Sequence, residues 1–130
     1  MILVDTHVVV WLAFHQDRLS NKAREAIADA RKREDGLAIS AITLLELATL
    51  ASKNRLHLNI VLGSFLQEIE SRFVVLAISS GACARIAELP AAYPKDPADR
   101  IIAATALIQG LPLLTADREI RRSKAVPTIW

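Results

Sequence analysis

The chain contains a single cysteine, Cys83, and aromatic residues make up only 5% of its 130 residues. One cysteine excludes an internal disulfide bond and is typical of a protein that works in a reducing compartment. With so few aromatic rings, we expect a core of alanine, leucine, isoleucine and valine. Apolar residues make up 52% of the chain, which argues against intrinsic disorder. The chain is too short for two stable cores, so we predict a single domain over residues 1–130.

Long apolar runs and targeting signals are also missing. No run reaches the roughly 18–20 apolar residues that a membrane-spanning helix needs. The first residues lack the basic segment and the small-residue cleavage site of a signal peptide. We therefore expect a soluble, cytoplasmic protein.

Several nucleotide-binding and phosphotransfer motifs are absent. Neither GxGxxG nor GxxxxGK[ST] occurs, which argues against a dinucleotide-binding or P-loop module. A phosphoacceptor receiver domain needs an acid at the end of the third strand, where this chain has Ser79 and Ser80. A haloacid-dehalogenase-type phosphatase needs a second aspartate two residues after Asp5, and His7 stands there instead.

Short apolar segments alternate with helical ones along the whole chain. Such alternation predicts an α/β protein, a three-layer sandwich in which helices cover both faces of a central parallel sheet of about five strands. We predict strands at Ile2–Val4, Leu37–Ser40, Val74–Ile78, Leu113–Thr115 and Thr128–Trp130, and helices over residues 6–14, 41–53, 62–73, 80–89 and 97–109. A further amphipathic helix starts at Ser20 and has an apolar face through Ala30, and Val8–Val10 within the first helix is also compatible with a strand. The helix over 97–109 is apolar almost all round, so we expect it to be buried.

Four acidic residues fall at one edge of this predicted sheet. Asp5 ends the first strand, and Asp117 lies two residues beyond the fourth. Glu46 lies one to two turns into the helix after the second strand, and Asp99 lies in the first turn of the buried helix. In a parallel sheet, strand C-termini and helix N-termini share one edge, where ligands usually bind. We therefore predict that the four carboxylates converge.

Each acid taken alone has a structural explanation. Asp5 and Asp117 are suited to capping a helix. Thr43 and Glu46 have the spacing of a capping box, and Asp99 suits the positive end of a helix dipole. Four converging carboxylates repel one another, however, and a partly buried cluster of this kind either protonates in part or binds a cation.

Carboxylate oxygens without histidine or cysteine indicate Mg²⁺ or Mn²⁺ rather than zinc. Such an ion activates water and stabilises charge on a phosphoryl oxygen, as phosphodiester hydrolysis requires. His7 lies near Asp5, but we expect it to have a helix-face or core role. The predicted catalytic and metal-binding residues are Asp5, Glu46, Asp99 and Asp117, with supporting roles for Thr6, Thr115 and Asp96.

Basic residues cluster near the C-terminal end. The net charge of +2 permits a polyanionic partner without indicating one. Residues 118–124, however, carry four basic side chains against one acid, which suits a nucleic-acid backbone as well as an ordinary solvated helix. The predicted substrate-binding residues are Arg100, Arg118, Arg121 and Arg122.

At DTHVVVWL, SAITLLELA, KDPADRIIAATAL and LLTAD the sequence resembles the PIN-domain family, and more closely its VapC-type toxins. The resemblance extends over essentially the whole chain. It implies an α/β/α sandwich with Asp5, Glu46, Asp99 and Asp117 as the four family acids and Thr115 as the hydroxyl partner of the last. Of the two acids in KDPADR, Asp99 is preferred over Asp96, because the helical face then continues through Ala103.

The resemblance further implies an endoribonuclease that depends on Mg²⁺ or Mn²⁺ and serves as the toxin of a type II toxin–antitoxin module. Its implied partners are an RNA substrate, a cognate VapB-type antitoxin and a second copy of the chain. The alternative is a catalytically silent PIN-like module that only binds RNA or protein.

Overall fold

A computed structural model describes all residues, 1–130. Five strands alternate with seven helices, and a 3₁₀ turn over Gln16–Arg18 follows the first helix. None of the helices has the length and hydrophobicity that a membrane span requires. The strands are β1 (Ile2–Val4), β2 (Leu37–Ser40), β3 (Val74–Leu76), β4 (Leu113–Leu114) and β5 (Thr128–Ile129); the helices are α1 (Thr6–Phe14), α2 (Asn21–Lys32), α3 (Ala41–Ser52), α4 (Leu62–Arg72), α5 (Ser80–Ile86), α6 (Pro97–Gln109) and α7 (Arg118–Ser123).

The strands form one parallel sheet in the order β3-β2-β1-β4-β5. Strand β1 is central: Leu3 pairs with Ala38 of β2 on one side and with Leu113 of β4 on the other. The chain thus leaves β1 towards β2 and returns on the opposite side as β4. Sheets with such a reversal of strand order have a crevice at the carboxyl ends of the diverging strands.

Helices cover both faces of the sheet, as the sequence predicts. Along β1, Ile2 and Val4 belong to one apolar cluster and Leu3 to another, because successive side chains of a strand point to opposite faces. The first cluster includes Val8 of α1 and Ile27 of α2. The second includes residues of α6 and α7. The three-layer α/β/α arrangement is therefore confirmed.

Polar side chains cap six of the seven helices at their N-termini. At each cap a hydroxyl or carboxylate oxygen accepts a backbone N–H of the first turn, which would otherwise have no partner inside the helix. Three of these caps are acids of the predicted site: Asp5 and Asp117 as predicted metal ligands, and Asp96 as a supporting residue. The capping residues are Asp5, Ser20, Ser40, Ser79, Asp96 and Asp117.

Some predicted element ends are wrong. The helix after β3 ends at Ile86 instead of Leu89, because the next amides bond to carbonyls three residues back and Pro90 follows. Strand β3 ends at Leu76, before Ile78. Helix α6 is buried over Ile102–Ala106 only, and Ile108 in its last turn is 43% exposed.

Two leucines on α3 test the packing. Leu47 is fully buried, whereas Leu45, two residues earlier on the same helix, is 61% exposed. We expect Leu47→Ala to lower the free energy of unfolding by about 2–5 kcal/mol, since it leaves a cavity in the core. Leu45→Ala should change it by less than about 0.5 kcal/mol. Urea unfolding of both variants measures the difference; equal effects would contradict this packing.

Candidate active site

All four predicted acids lie at the carboxyl edge of the sheet. Asp5 follows β1 directly, and Asp117 begins α7 just after β4. Glu46 lies in the second turn of α3, which follows β2, and Asp99 lies in the first turn of α6. Helices that cover a parallel sheet run antiparallel to its strands, so their N-termini meet the strand ends at this edge. The site is thus assembled from four distant segments.

Asp5 is almost completely buried, with 3% of its surface exposed. Its Oδ1 accepts the backbone N–H of Thr6 over 2.9 Å, which caps α1. Its Oδ2 accepts the hydroxyl of Thr115 over 2.8 Å. A buried carboxylate is stable only when such donors compensate for the water that it loses. Asp5 therefore both caps a helix and faces the site.

The supporting hydroxyl of Thr115 joins Asp5 to Asp117. While its hydrogen goes to Asp5, its oxygen accepts the backbone N–H of Asp117 over 3.1 Å. Asp117 in turn caps α7 by accepting the N–H of Ile120 over 3.0 Å. Thr115 is fully buried, so these bonds do not exchange readily with water. Thr115 thus fixes the position of Asp117 relative to Asp5.

The hydroxyl of Thr6 orients Glu46. It donates to Oε1 of Glu46 over 2.6 Å and lies 3.0 Å from the hydroxyl of Thr43. Because the hydrogen of Thr6 goes to Glu46, Thr43 is the donor in the second contact. The capping box suggested for Thr43 and Glu46 is wrong: Ser40 caps α3, accepting the N–H of Ile42, and Thr43 is buried one turn further on.

The two acids of KDPADR have different surroundings. Asp96 is exposed and caps α6, accepting N–H groups from Ala98 and Asp99. Asp99 is half-buried, and its pKa is raised to about 7. Burial is the largest cause, and the negative charges of Asp5, Asp96, Glu46 and Asp117 add to it. Asp99 thus lies within the field of every other acid of the site.

Burial likewise raises the pKa of Glu46, and the charges of Asp5 and Asp96 raise it further, against the lowering effect of the Thr6 hydrogen bond. The ionised forms of two half-buried carboxylates, Glu46 and Asp99, are therefore disfavoured. This is the expected signature of several acids that share a low-dielectric cleft.

Two residues beside the acids are not among the predicted site residues. The hydroxyl of Tyr93 is buried without a hydrogen-bond partner, and its pKa is raised by burial and by Asp5, Asp99 and Asp117. His7 accepts the backbone N–H of Ala116 at Nε2 over 3.0 Å. For Tyr93 no local pattern gave a signal; for His7 the proximity to Asp5 was the signal.

The four predicted substrate-binding arginines fall into two groups. Arg100 is half-buried and donates to the backbone carbonyl of Tyr93 over 3.0 Å, so it ties the preceding loop to α6. The other three are exposed on α7 and form no ion pair within the chain. A surface depression of about 460 Å³ is lined only by Arg118, Arg121, Arg122 and Lys124.

The site suits a divalent cation in donor type and charge. Its side chains offer carboxylate and hydroxyl oxygens, the ligands that Mg²⁺ and Mn²⁺ prefer. Burial is the largest cause of the raised pKa of Asp99, and the repulsion by neighbouring acids that adds to it is what a cation would relieve. As the side chains stand, no three histidine, cysteine, aspartate or glutamate side chains are grouped closely enough to hold a metal ion.

Replacing Asp99 should stabilise the metal-free protein at alkaline pH. The folded-state pKa of about 7 exceeds the unfolded value of about 3.9, so this group lowers stability as pH rises through that range. We expect Asp99→Asn to raise the free energy of unfolding at pH 8 by on the order of 1 kcal/mol, since solvent screens a half-buried charge. The gain should shrink towards pH 4.

Thermal unfolding in EDTA at several pH values measures this effect. Asp17→Asn, at an exposed position on the 3₁₀ turn, is the matched control and should show no comparable gain. An Asp99→Asn gain that is the same at pH 4 and pH 8 would show that the charged form of Asp99 is not the source of the instability.

Substitutions of Thr115 test the hydroxyl bridge, that is, the two hydrogen bonds by which the Thr115 hydroxyl links Asp5 to the backbone of Asp117. Thr115→Val keeps the shape but leaves Oδ2 of Asp5 and the N–H of Asp117 without their partner, at about 1–3 kcal/mol for each unsatisfied group. Thr115→Ser keeps the hydroxyl and loses one methyl group, about 1 kcal/mol. Denaturant unfolding should therefore rank serine above valine in stability, and the reverse order would rule out the bridge.

The chain is similar to known proteins in sequence and in fold. The PIN domain model matches residues 2–125. The chain is 39% identical to Ribonuclease VapC22 of Mycobacterium tuberculosis (strain ATCC 25618 / H37Rv), over 99% of this chain and 98% of that protein.

Solved structures share the fold. The crystal structure of VapBC2 from Rickettsia felis, bound to a DNA fragment from their promoter, matches with a TM-score of 0.75 at 21% identity, over 98% of this chain and 97% of that one. A toxin–antitoxin complex from Klebsiella pneumoniae matches with a TM-score of 0.61 at 26% identity, over 90% and 87%. The chain therefore belongs to the PIN-domain family, and within it to the VapC-type proteins.

Proposed function

We propose that this protein is a metal-dependent endoribonuclease that acts as the toxin of a type II toxin–antitoxin module. The observation that carries the proposal is the convergence of Asp5, Glu46, Asp99 and Asp117 from four segments, with Thr6 and Thr115 hydrogen-bonded among them. The similarity to a protein named as a ribonuclease over nearly the whole chain supports it.

Asp5, Glu46, Asp99 and Asp117 would hold one or two Mg²⁺ or Mn²⁺ ions, directly or through water. Bound there, such an ion supplies an activated water and stabilises charge on a phosphoryl oxygen. Asp5 and Asp117 contribute fixed charges, because Thr115 and the helix caps restrict both side chains. Glu46 is directed by the Thr6 hydroxyl. Asp96 supports the site by starting α6 and adding negative charge.

The reaction we propose is hydrolysis of an RNA phosphodiester bond. Water attacks phosphorus in line with the leaving 3′-oxygen, and one of the carboxylates takes up the proton of the water. The bond between phosphorus and the 3′-oxygen breaks, the 3′-oxygen takes up a proton from solvent to become a hydroxyl, and the other fragment carries a 5′-phosphate. The exposed basic side chains Arg118, Arg121 and Arg122 are suited to contact neighbouring phosphates of the RNA backbone. Arg100, beside Asp99, would contact a phosphate nearer the reacting bond.

We also propose a cognate VapB-type antitoxin as the protein partner, since similar structures contain VapBC and toxin–antitoxin complexes. A cationic side chain of that partner would suit the acid cluster in place of a metal ion. We further infer a homodimer that acts in the cytoplasm, where its RNA substrate is found.

Asp5→Asn tests the reaction. The amide can still accept the N–H of Thr6, so we expect the fold to be retained, whereas one charge of the site is lost. Cleavage of RNA by the purified protein, freed of any partner and supplied with Mg²⁺, should fall on the order of 100-fold, the loss typical of removing one charge-stabilising group. EDTA should abolish cleavage by the wild type.

Asp17→Asn serves as the control and should cleave like the wild type. Mapping the cut sites in cellular RNA after expression of the wild type and Asp5→Asn identifies the target in the same experiment. Full cleavage by Asp5→Asn, or full activity in EDTA, would reject the mechanism. RNA binding without any cleavage would favour the catalytically silent alternative.

A further inference from the structure

His7 contacts the turn that carries Asp117. It lies at the second position of α1 and is half-buried. Its Nε2 accepts the backbone N–H of Ala116, which is 109 residues away along the chain, over 3.0 Å. Ala116 stands between Thr115 and Asp117, so this bond joins the helix after β1 to the segment after β4.

Every backbone N–H of this turn has a partner. Thr115 donates to the carbonyl of Ile129 over 3.2 Å, and Asp117 donates to the hydroxyl of Thr115 over 3.1 Å. For Ala116 the partner is the ring nitrogen of His7. Without that nitrogen the N–H of Ala116 has no acceptor in the chain, and a half-buried donor then favours a rearranged turn.

Three contacts fix the imidazole ring. An Nε2 that accepts a hydrogen bond carries no hydrogen, so the hydrogen of the neutral ring is on Nδ1. Nδ1 faces Oδ2 of Asp5 at 3.6 Å, where a hydrogen is electrostatically favourable. Trp11 packs edge-on against the ring, with centroids 5.1 Å apart and planes inclined by 68°. Both ring nitrogens thus face groups of the protein.

We propose that His7 is a positioning residue for the nuclease reaction: it holds Ala116 so that Asp117 stays beside Asp5. It acts through the backbone: Nε2 accepts the N–H of Ala116, and Nδ1 faces the carboxylate of Asp5. The inference rests on the proposed function and deepens it by adding a residue that touches none of the reacting atoms.

Two variants separate hydrogen bonding from packing. Glutamine places an amide oxygen near the position of Nε2, so His7→Gln keeps an acceptor for Ala116. His7→Phe keeps an aromatic ring against Trp11 but has no acceptor. A role in packing alone would favour phenylalanine, whereas the positioning role favours glutamine.

Amide hydrogen exchange at Ala116 and RNA cleavage are measured on the wild type and both variants. We expect His7→Phe to speed exchange at Ala116 by about 10-fold or more and to lower kcat by about 10- to 100-fold, with KM little changed. His7→Gln should stay within about threefold of the wild type in both measurements. Nitrogen NMR of the wild type should show the hydrogen of His7 on Nδ1.

The possible negative results distinguish a failure of the proposed function from a failure of the inference about His7. A wild type that does not cleave RNA overturns the proposed function, whereas Ala116 exchange and the ring tautomer still test the contact itself. Unchanged exchange at Ala116 in His7→Phe, or a hydrogen found on Nε2, overturns the inference about His7. So does cleavage by His7→Phe at the wild-type rate. Should His7→Phe fail to fold, the tautomer and the glutamine variant keep the inference open to refutation.

Discussion

Asp5 places a carboxylate at the end of the central strand β1, beside the end of β4, where 3% of the residue is exposed. Burial of an uncompensated carboxylate is costly, and the donors that compensate for it come from both strand ends, Thr6 after β1 and Thr115 after β4. The same two residues also contact the neighbouring acids: the hydroxyl of Thr6 donates to Glu46, and the hydroxyl oxygen of Thr115 accepts the backbone N–H of Asp117. The requirement to satisfy one buried charge therefore determines where the neighbouring charges lie.

The strand order explains why this charge lies where it does. Since β1 has β2 on one side and β4 on the other, the connections diverge at its carboxyl end and leave the edge open. Helices α1, α3, α6 and α7 all begin near that edge. A polar residue at the end of β1 consequently lies near the N-termini of several helices.

Much of this arrangement could be predicted from the sequence. Strands buried on both faces are apolar throughout, as in Leu37–Ala38–Ile39, and their alternation with helices predicts a parallel sheet and a shared edge for the acids. The contacts within the site could not be predicted, because they join residues 40, 109 and 110 positions apart. Local spacing suggested a capping box at Thr43, where tertiary contacts instead direct Thr43 and Glu46 to Thr6.

The charge of the acid cluster is not balanced within the chain. No lysine or arginine forms an ion pair with Asp5, Glu46, Asp96, Asp99 or Asp117. Burial is the main cause of the raised pKa values of Glu46 and Asp99, and the negative charges of the neighbouring acids raise both further. A cation that binds only the folded state stabilises it in proportion to the logarithm of its concentration over its dissociation constant. The electrostatic cost that weakens the metal-free fold is thus also the driving force for binding a cation. The same charges therefore lower the stability of the metal-free protein and favour the cation binding that the proposed activity needs, a trade-off expected of a functional site.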